Sequence, residues 1–167
     1  MSNSYIQIVE QAIDLLDGLS LKEYQSAIQP HFPSSIGAHL RHVIDHFLAL
    51  MSGSTEGHVD YNKRHRHNQI EQFPQAATEI LESIIDWLSG LDDSDREKTI
   101  SVTSEIDVND TKSATCHSTI ERELVFVTSH AIHHYALIRI MCGMQNKTIP
   151  EFFGYAPATI THLTKTA

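Results

Sequence analysis

Three histidines lie close together in one segment that otherwise has the pattern of a buried helix face. In SHAIHHYALI, residues 129–138, His130, His133 and His134 alternate with apolar residues. At about 100° per residue, His130 and His134 lie inside the apolar stripe of a helix, whereas His133 lies at its edge. A buried imidazole is costly unless its ring nitrogens have partners. The segment therefore predicts a helix whose inward face has a chemical role.

The spacing of His130 and His134 is that of two ligands of one metal ion. Side chains at positions i and i+4 stack one turn apart and lean the same way, so both imidazoles can reach an ion at about 2.0 Å. Catalytic zinc commonly has three protein ligands and a water molecule. A third ligand is therefore expected from another helix.

A second histidine-rich segment can supply that ligand. Residues 34–53 have apolar side chains at helical spacing and carry His39, His42 and His46. By helical geometry, His46 and His39 lie nearer the middle of the apolar face than His42, which lies at its border. Geometry alone therefore favours His46 or His39.

Apolar periodicity predicts four long helices in a single domain over residues 1–167. They are expected at about residues 3–19, 34–53, 74–90 and 118–144, with a short last helix from about residue 156. Pro74 suits the first turn of the third helix. Ser118 and Glu121 have the spacing of a capping box that starts the fourth. The predicted fold class is all-α, a four-helix bundle.

Two connections interrupt this helical pattern. Residues 54–71 are polar and lack a convincing period, which predicts a long crossing loop between helices two and three. Apolar residues at even positions from Ile100 to Val108 predict a small strand or hairpin before helix four, with Asn109 and Asp110 in its turn.

Composition and charge argue against several kinds of binding partner and against a membrane location. The formal net charge of −9 disfavours binding to nucleic acid and to anionic membranes. The first residues lack the basic start of a signal peptide, and the chain has no apolar stretch long enough to span a membrane. We expect a soluble cytoplasmic protein in which Cys116 and Cys142 are free thiols.

Two of these segments resemble motifs of the DinB/YfiT-like superfamily. SIGAHLRHVIDHF, residues 35–47, resembles its second-helix motif, and SHAIHHYALIRIM, residues 129–141, resembles its fourth-helix motif. The resemblance covers helices two to four and their order. It implies a four-helix bundle in which His42, His130 and His134 bind a divalent ion. On this resemblance, His42 is the expected ligand from the second helix, instead of His46 or His39. An ion near the mouth of the bundle would favour such a residue at the border of the apolar face.

The resemblance implies metal-dependent chemistry on small molecules. Some members are thiol-dependent S-transferases and others are isomerases or hydrolases. We therefore expect a metal-dependent transferase that uses a low-molecular-weight thiol, or a hydrolase. A non-catalytic metal-binding bundle and a metal-free bundle with pH-sensitive histidines are the alternatives. Zinc is the expected ion, followed by nickel or iron, because imidazole suits all three. We also expect a homodimer.

Catalytic and supporting residues are expected close to the histidines. Tyr61, Arg64 and Arg66 lie in the crossing loop, and either arginine suits a carboxylate or phosphate by bidentate contact. Asp45 and His133 are candidates for orienting a ligand imidazole. Of these two, Asp45 is expected to face water.

Overall fold

A computed structural model describes residues 2–63 and 68–165. Within these ranges the chain is mostly helical, with one small sheet. The elements in chain order are α1 (Ser2–Asp17), α2 (Leu21–Gln25), α3 (Ile36–Glu56), β1 (His58–Asp60), α4 (Asn68–Gln72), α5 (Pro74–Gly90), α6 (Asp93–Glu97), β2 (Thr99–Glu105), β3 (Ser113–Thr119), α7 (Ile120–Met144) and α8 (Pro157–Lys165).

The four long helices, α1, α3, α5 and α7, lie where apolar periodicity predicts them. Helix α1 packs against α5 and α7, and α3 packs against the same two helices. Their periodic apolar residues, such as Phe47, Leu81 and Val127, are buried in one core. Burial of these faces removes apolar surface from water, at about 25 cal/mol per Å². The pattern read from the sequence is therefore the core face of each helix.

The sheet is the main departure from the predicted all-α class. Strand β1 pairs in parallel with β2, with Val59 opposite Val102. Strand β2 pairs antiparallel with β3, so the order is β1-β2-β3. The β2–β3 hairpin lies where alternation predicted it. By contrast, β1 and α4 lie in the segment that was expected to be an irregular crossing loop.

Helix α3 continues past Gly53, where we expected it to end. A β-carbon at position 53 would lie 2.5 Å from Cγ2 of Val59 and 2.6 Å from the backbone oxygen of His58. Position 53 is therefore glycine because β1 passes directly over the helix. The helix ends instead at Gly57, whose φ of 75° is the left-handed conformation of a glycine C-cap.

The hairpin buries fewer residues than its alternating pattern predicts. Ile100 and Val102 of β2 are buried in the core, and the strand ends at Glu105. Ile106 and Val108 lie beyond the strand and are exposed. The even-position pattern continues into the turn, and only its first half marks a buried face.

The start of α7 also differs from the expected capping box. Thr119 is the N-cap, and its Oγ1 accepts a hydrogen bond from the backbone N–H of Arg122 at 3.2 Å. Ser118 still belongs to β3 and donates its hydroxyl to Glu123. Strand β3 runs to Thr119, and the cap lies there instead of at Ser118.

Other expectations concern single features. Cys116 and Cys142 are free thiols. Among the helices of residues 2–63 and 68–165, none is both long and apolar enough to cross a membrane.

Candidate metal centre

Histidines of α3 and α7 meet where these two helices pack together. His42, His46 and His130 each offer one ring nitrogen, and these nitrogens all lie within 4.8 Å of one another. The Nε2 atoms of His42 and His130 are 3.0 Å apart. Two nitrogens that each bind one ion at about 2.1 Å lie roughly 3.0 to 3.4 Å apart. His42 and His130 therefore already have the separation of two ligands.

His134 lies directly beside this group. Its ring centroid is 4.6 Å from that of His130 and 4.7 Å from that of His42. Its Nδ1 is 3.0 Å from Nδ1 of His39, whose Nε2 is 3.0 Å from the hydroxyl of Ser34. Contacts at the outer nitrogen of an imidazole help to fix which nitrogen faces a metal. The Ser34 and His39 contacts thus orient His134 with its Nε2 away from them.

The structure brings the five histidines named as candidate metal ligands into one cluster. His42 and His130 belong both to the group with the closest nitrogens and to the set implied by the motif resemblance. The third member of the closest group is His46, which helical geometry favoured. The third member of the set implied by the resemblance is His134. The two sets therefore differ in one residue.

Burial favours the neutral form of His39, His130 and His134 by lowering their pKa values. It lowers the pKa of His130 to about 4, with a further contribution from the neighbouring His46. Burial also lowers the pKa of His134 to about 3, and the nearby His130 and His42 add to the effect. The pKa of His39 is lowered chiefly by burial as well. Neutral imidazole is the form that binds a metal ion, so these side chains are ready to do so at pH 7.

The ring of His46 is oriented from two sides. Its Nδ1 donates to the backbone oxygen of His42 at 2.9 Å, which leaves the lone pair of a neutral ring on Nε2. The ring of Tyr61 stacks on it, with centroids 5.4 Å apart and an interplanar angle of 19°. A hydrogen bond from the outer ring nitrogen to a backbone oxygen, as His46 makes to His42, is the usual support of a metal-binding histidine.

A small cavity of about 180 Å³ opens beside the histidines. Most of its wall is polar or charged, so it suits a small polar molecule rather than a lipid chain. A molecule in it would lie against His42 and His46. The lining residues are His42, Asp45, His46, Tyr61, Asn62, Lys63, Ser104 and Glu105.

The other residues named from the sequence have different surroundings. Asp45 was expected to face water but is only 6% exposed, because the segment after β1 and the end of β2 cover this side of α3. His133 is exposed, with its ring edge-on to that of His134 at 5.3 Å. Tyr61 lies against His46, whereas Arg64 and Arg66 lie outside the described residues.

Sequence reasoning missed Glu123, a buried carboxylate of α7. Its Oε2 accepts a hydrogen bond from the hydroxyl of Tyr61 at 2.9 Å, and its Oε1 accepts one from Ser118 at 2.6 Å. Glu123 precedes His130 by seven residues, so both lie on the same side of the helix. A charged residue in line with the inward histidines was the signal that could have revealed it.

Comparisons with known proteins support the fold. The chain matches no protein-family model. Its structure is similar to the crystal structure of YjoA, a DinB-like protein from Bacillus subtilis, with a TM-score of 0.63 and 16% sequence identity over 88% of this chain and 98% of that one. The chain therefore has the DinB-like fold, as its two motifs predicted.

One curated relative is similar in sequence but belongs to a much longer protein. FK506-binding protein 5 from Rhizopus delemar is 31% identical to this chain over 107 residues, which is 64% of this chain. The match spans only 28% of that longer protein. This chain therefore corresponds to little more than a quarter of that relative.

Proposed function

We propose that the chain is a divalent-metal-binding DinB-like protein whose ion is held by histidines of α3 and α7. The observation that carries the proposal is the convergence of ring nitrogens from His42, His46 and His130. His42 and His130 are ligands in this proposal, and the third ligand is His46 or His134. Zinc is the proposed ion, with nickel and iron as the alternatives that imidazole also binds well.

We further propose that the bound ion acts on a small molecule. Three neutral imidazoles leave the full charge of a divalent ion, which lowers the pKa of bound water or holds a thiolate. The polar cavity beside His42 and His46 supports this role, because it gives a small substrate access to the histidines. A thiol S-transferase or a hydrolase of small molecules is the proposed class.

A non-catalytic metal-binding bundle is the second candidate. The short distances from the ring of His134 to the rings of His42 and His130 favour it, because a fourth imidazole would complete a tetrahedral shell. A closed shell of four histidines would tie α3 to α7 and leave no position for a substrate. The number of histidine ligands therefore separates the two candidates.

Cobalt substitution tests both the ligand set and the open position. The protein would be loaded with Co²⁺, and its visible absorption recorded for the wild type and for His42→Ala, His46→Ala, His130→Ala and His134→Ala. We expect His42→Ala and His130→Ala to abolish the spectrum. Either His46→Ala or His134→Ala should abolish it as well, and the other should leave it almost unchanged.

Controls make each outcome interpretable. His117→Ala removes an exposed histidine of β3 and should leave the spectrum unchanged. Azide or a small thiol should shift the wild-type spectrum if the ion has an open position. Loss of the spectrum in all four variants, with no shift on adding azide or thiol, would support the non-catalytic candidate. A wild type that binds no Co²⁺ would contradict metal binding altogether.

A further inference from the structure

Glu123 is a buried carboxylate near the histidines that the proposed ligand set does not use. It is only 7% exposed, and both of its oxygens accept hydrogen bonds from hydroxyl groups. Burial of a carboxylate is costly unless hydrogen bonds compensate for the lost water. The two hydroxyls come from Tyr61 and Ser118, which lie 57 positions apart in the chain. Glu123 therefore ties the segment after β1 and the end of β3 to α7.

Tyr61 is held in one position by its backbone and by its hydroxyl. Its backbone N–H donates to the oxygen of Thr103 in β2 at 3.0 Å, which extends the pairing of β1 by one residue. Its hydroxyl donates to Glu123. A ring fixed at both ends has little freedom to rotate away from the surface that it covers. Burial and the neighbouring carboxylate raise the pKa of Tyr61 far above its usual value, so the hydroxyl remains a donor.

The surface that Tyr61 covers is the ring of His46. Tyr61 also contacts Phe126, with centroids 5.2 Å apart, and Phe126 lies 6.3 Å from the ring of His46. Phe126 in turn stacks on His130, at 6.0 Å and an interplanar angle of 23°. The two aromatic rings thus lie against one histidine of α3 and one of α7.

We propose that Tyr61, anchored by Glu123, is a positioning residue that holds the ring of His46 in the orientation set by its hydrogen bond to the His42 backbone oxygen. For its consequence, the inference rests on the proposed metal site with His46 as the third ligand, because a restrained His46 ring then binds an ion with less loss of freedom. Tyr61 is then a support of the histidine cluster and takes no part in proton transfer. Its role differs from the catalytic role considered from the sequence.

The first test is independent of any metal. Nitrogen-detected NMR of the metal-free protein reports which ring nitrogen of His46 carries the hydrogen. We expect the wild type to show the form protonated at Nδ1. Tyr61→Leu should shift the His46 signals towards the average of the two neutral forms, and Tyr61→Phe and Glu123→Gln should shift them part of the way. Unchanged His46 signals in all three variants would overturn the proposal.

The second test measures zinc affinity by competition with a coloured chelator. Loss of an outer support of a ligand histidine typically weakens metal binding by about tenfold to a hundredfold, and we expect this for Tyr61→Leu. Because Tyr61→Phe keeps the ring, we expect a loss of about threefold to tenfold. Glu123→Gln leaves only an uncharged amide oxygen to accept from Tyr61, so its effect should be smaller. The zinc affinity of the Tyr61→Phe, Glu123→Gln double variant should be no lower than that of Tyr61→Phe alone, because the bond that the second change weakens is already absent.

A matched control is present on the same helix. The hydroxyl of Tyr5 donates to Oε1 of Glu121 at 2.6 Å, so Tyr5→Phe also removes a bond from tyrosine to a carboxylate of α7. This variant should lower thermal stability by a similar amount but leave zinc affinity and the His46 signals unchanged. Equal losses of affinity in Tyr5→Phe and Tyr61→Phe would reduce Tyr61 to a structural role and overturn the proposal.

The two tests separate this inference from the proposed function. A wild type without zinc affinity but with changed His46 signals in Tyr61→Leu would remove the metal site and keep the positioning role. If the wild type binds zinc and the Tyr61 changes leave the affinity unaffected, the metal site is kept and the positioning role is removed. Circular dichroism of each variant establishes that it is folded, and Tyr61→Phe serves where Tyr61→Leu does not fold.

Discussion

Individual histidines carry most of the chemical information in this chain. The side chains of His130 and His134 are half-buried, and each has other imidazoles for neighbours. Both conditions favour the neutral ring over the charged one. Their position in the apolar stripe was visible in the sequence because helical periodicity is a local property. The sequence did not show which histidine of α3 approaches them, because that depends on how α3 is rotated against α7.

The lowered pKa values predict an acid-sensitive metal-free protein. A histidine that is exposed in the unfolded chain begins to bind a proton near pH 6.5, whereas folded His130 does so only near pH 4. Acid therefore favours the unfolded state between these values, and the cost is complete below about pH 4. Above pH 6.5 both states are neutral at this residue, and stability does not change on its account.

Urea unfolding at several pH values, in the presence of a chelator, checks this prediction. The free energy of unfolding should fall from pH 7 to pH 4.5 by more in the wild type than in the His130→Gln, His134→Gln double variant. His117→Gln, which changes an exposed histidine, should follow the wild type. Parallel curves for the wild type and the double variant would show that these two rings titrate normally.

At the scale of elements, β1 determines how the site is covered. It is only three residues long, yet it pairs with β2, packs on α3 at Gly53 and leads directly into Tyr61. A short strand whose partner lies some forty positions away has no periodic signal of its own. The same non-local contact explains why Gly53 looked like a helix end. Its absent side chain serves packing against β1, and the helix continues beyond it.

Gly53→Ala should destabilise the protein and disturb the site. The new methyl group would overlap the backbone of β1 and the side chain of Val59. Overpacking of this kind costs about 1–3 kcal/mol. Since Tyr61 follows β1, zinc affinity should fall as well. Urea unfolding and chelator competition measure the two effects.

Gly143→Ala is the matched control for this substitution. Gly143 is also in a helix, but a β-carbon there would meet nothing within 4 Å. Replacing a helical glycine by alanine stabilises a helix by up to about 1 kcal/mol. We therefore expect Gly143→Ala to be neutral or stabilising. A Gly53→Ala variant as stable as Gly143→Ala would mean that β1 does not press on α3.

Long helices could be predicted from the sequence because each carries its own repeated apolar face and its own end signals. Pro74 and Gly90 bound α5, and the unbroken period from Ile120 onward marks α7. The sheet, the burial of Asp45 and the role of Glu123 depend on which segments lie across the helices. Those contacts join residues far apart in sequence, and no local pattern reports them.

The whole molecule combines a DinB-like fold with an acidic composition and a cluster of histidines between α3 and α7. The motifs of α3 and α7 predicted this fold, and the structural similarity to YjoA confirms it. An ion at the cluster would join α3 to α7 through His42 and His130, which are 88 positions apart in sequence. A ligand that binds only the folded state stabilises it. The proposed function therefore depends on one property of the chain, its capacity to bind a divalent ion.

Metal content measured by mass spectrometry of the purified, tag-free protein tests this claim most directly. The wild type, His42→Ala and His130→Ala would be compared, with His117→Ala as the control. We predict about one divalent ion per chain in the wild type and in the control, and none in the other two variants. A wild type that holds no ion, even after incubation with zinc or nickel, would contradict the proposed function.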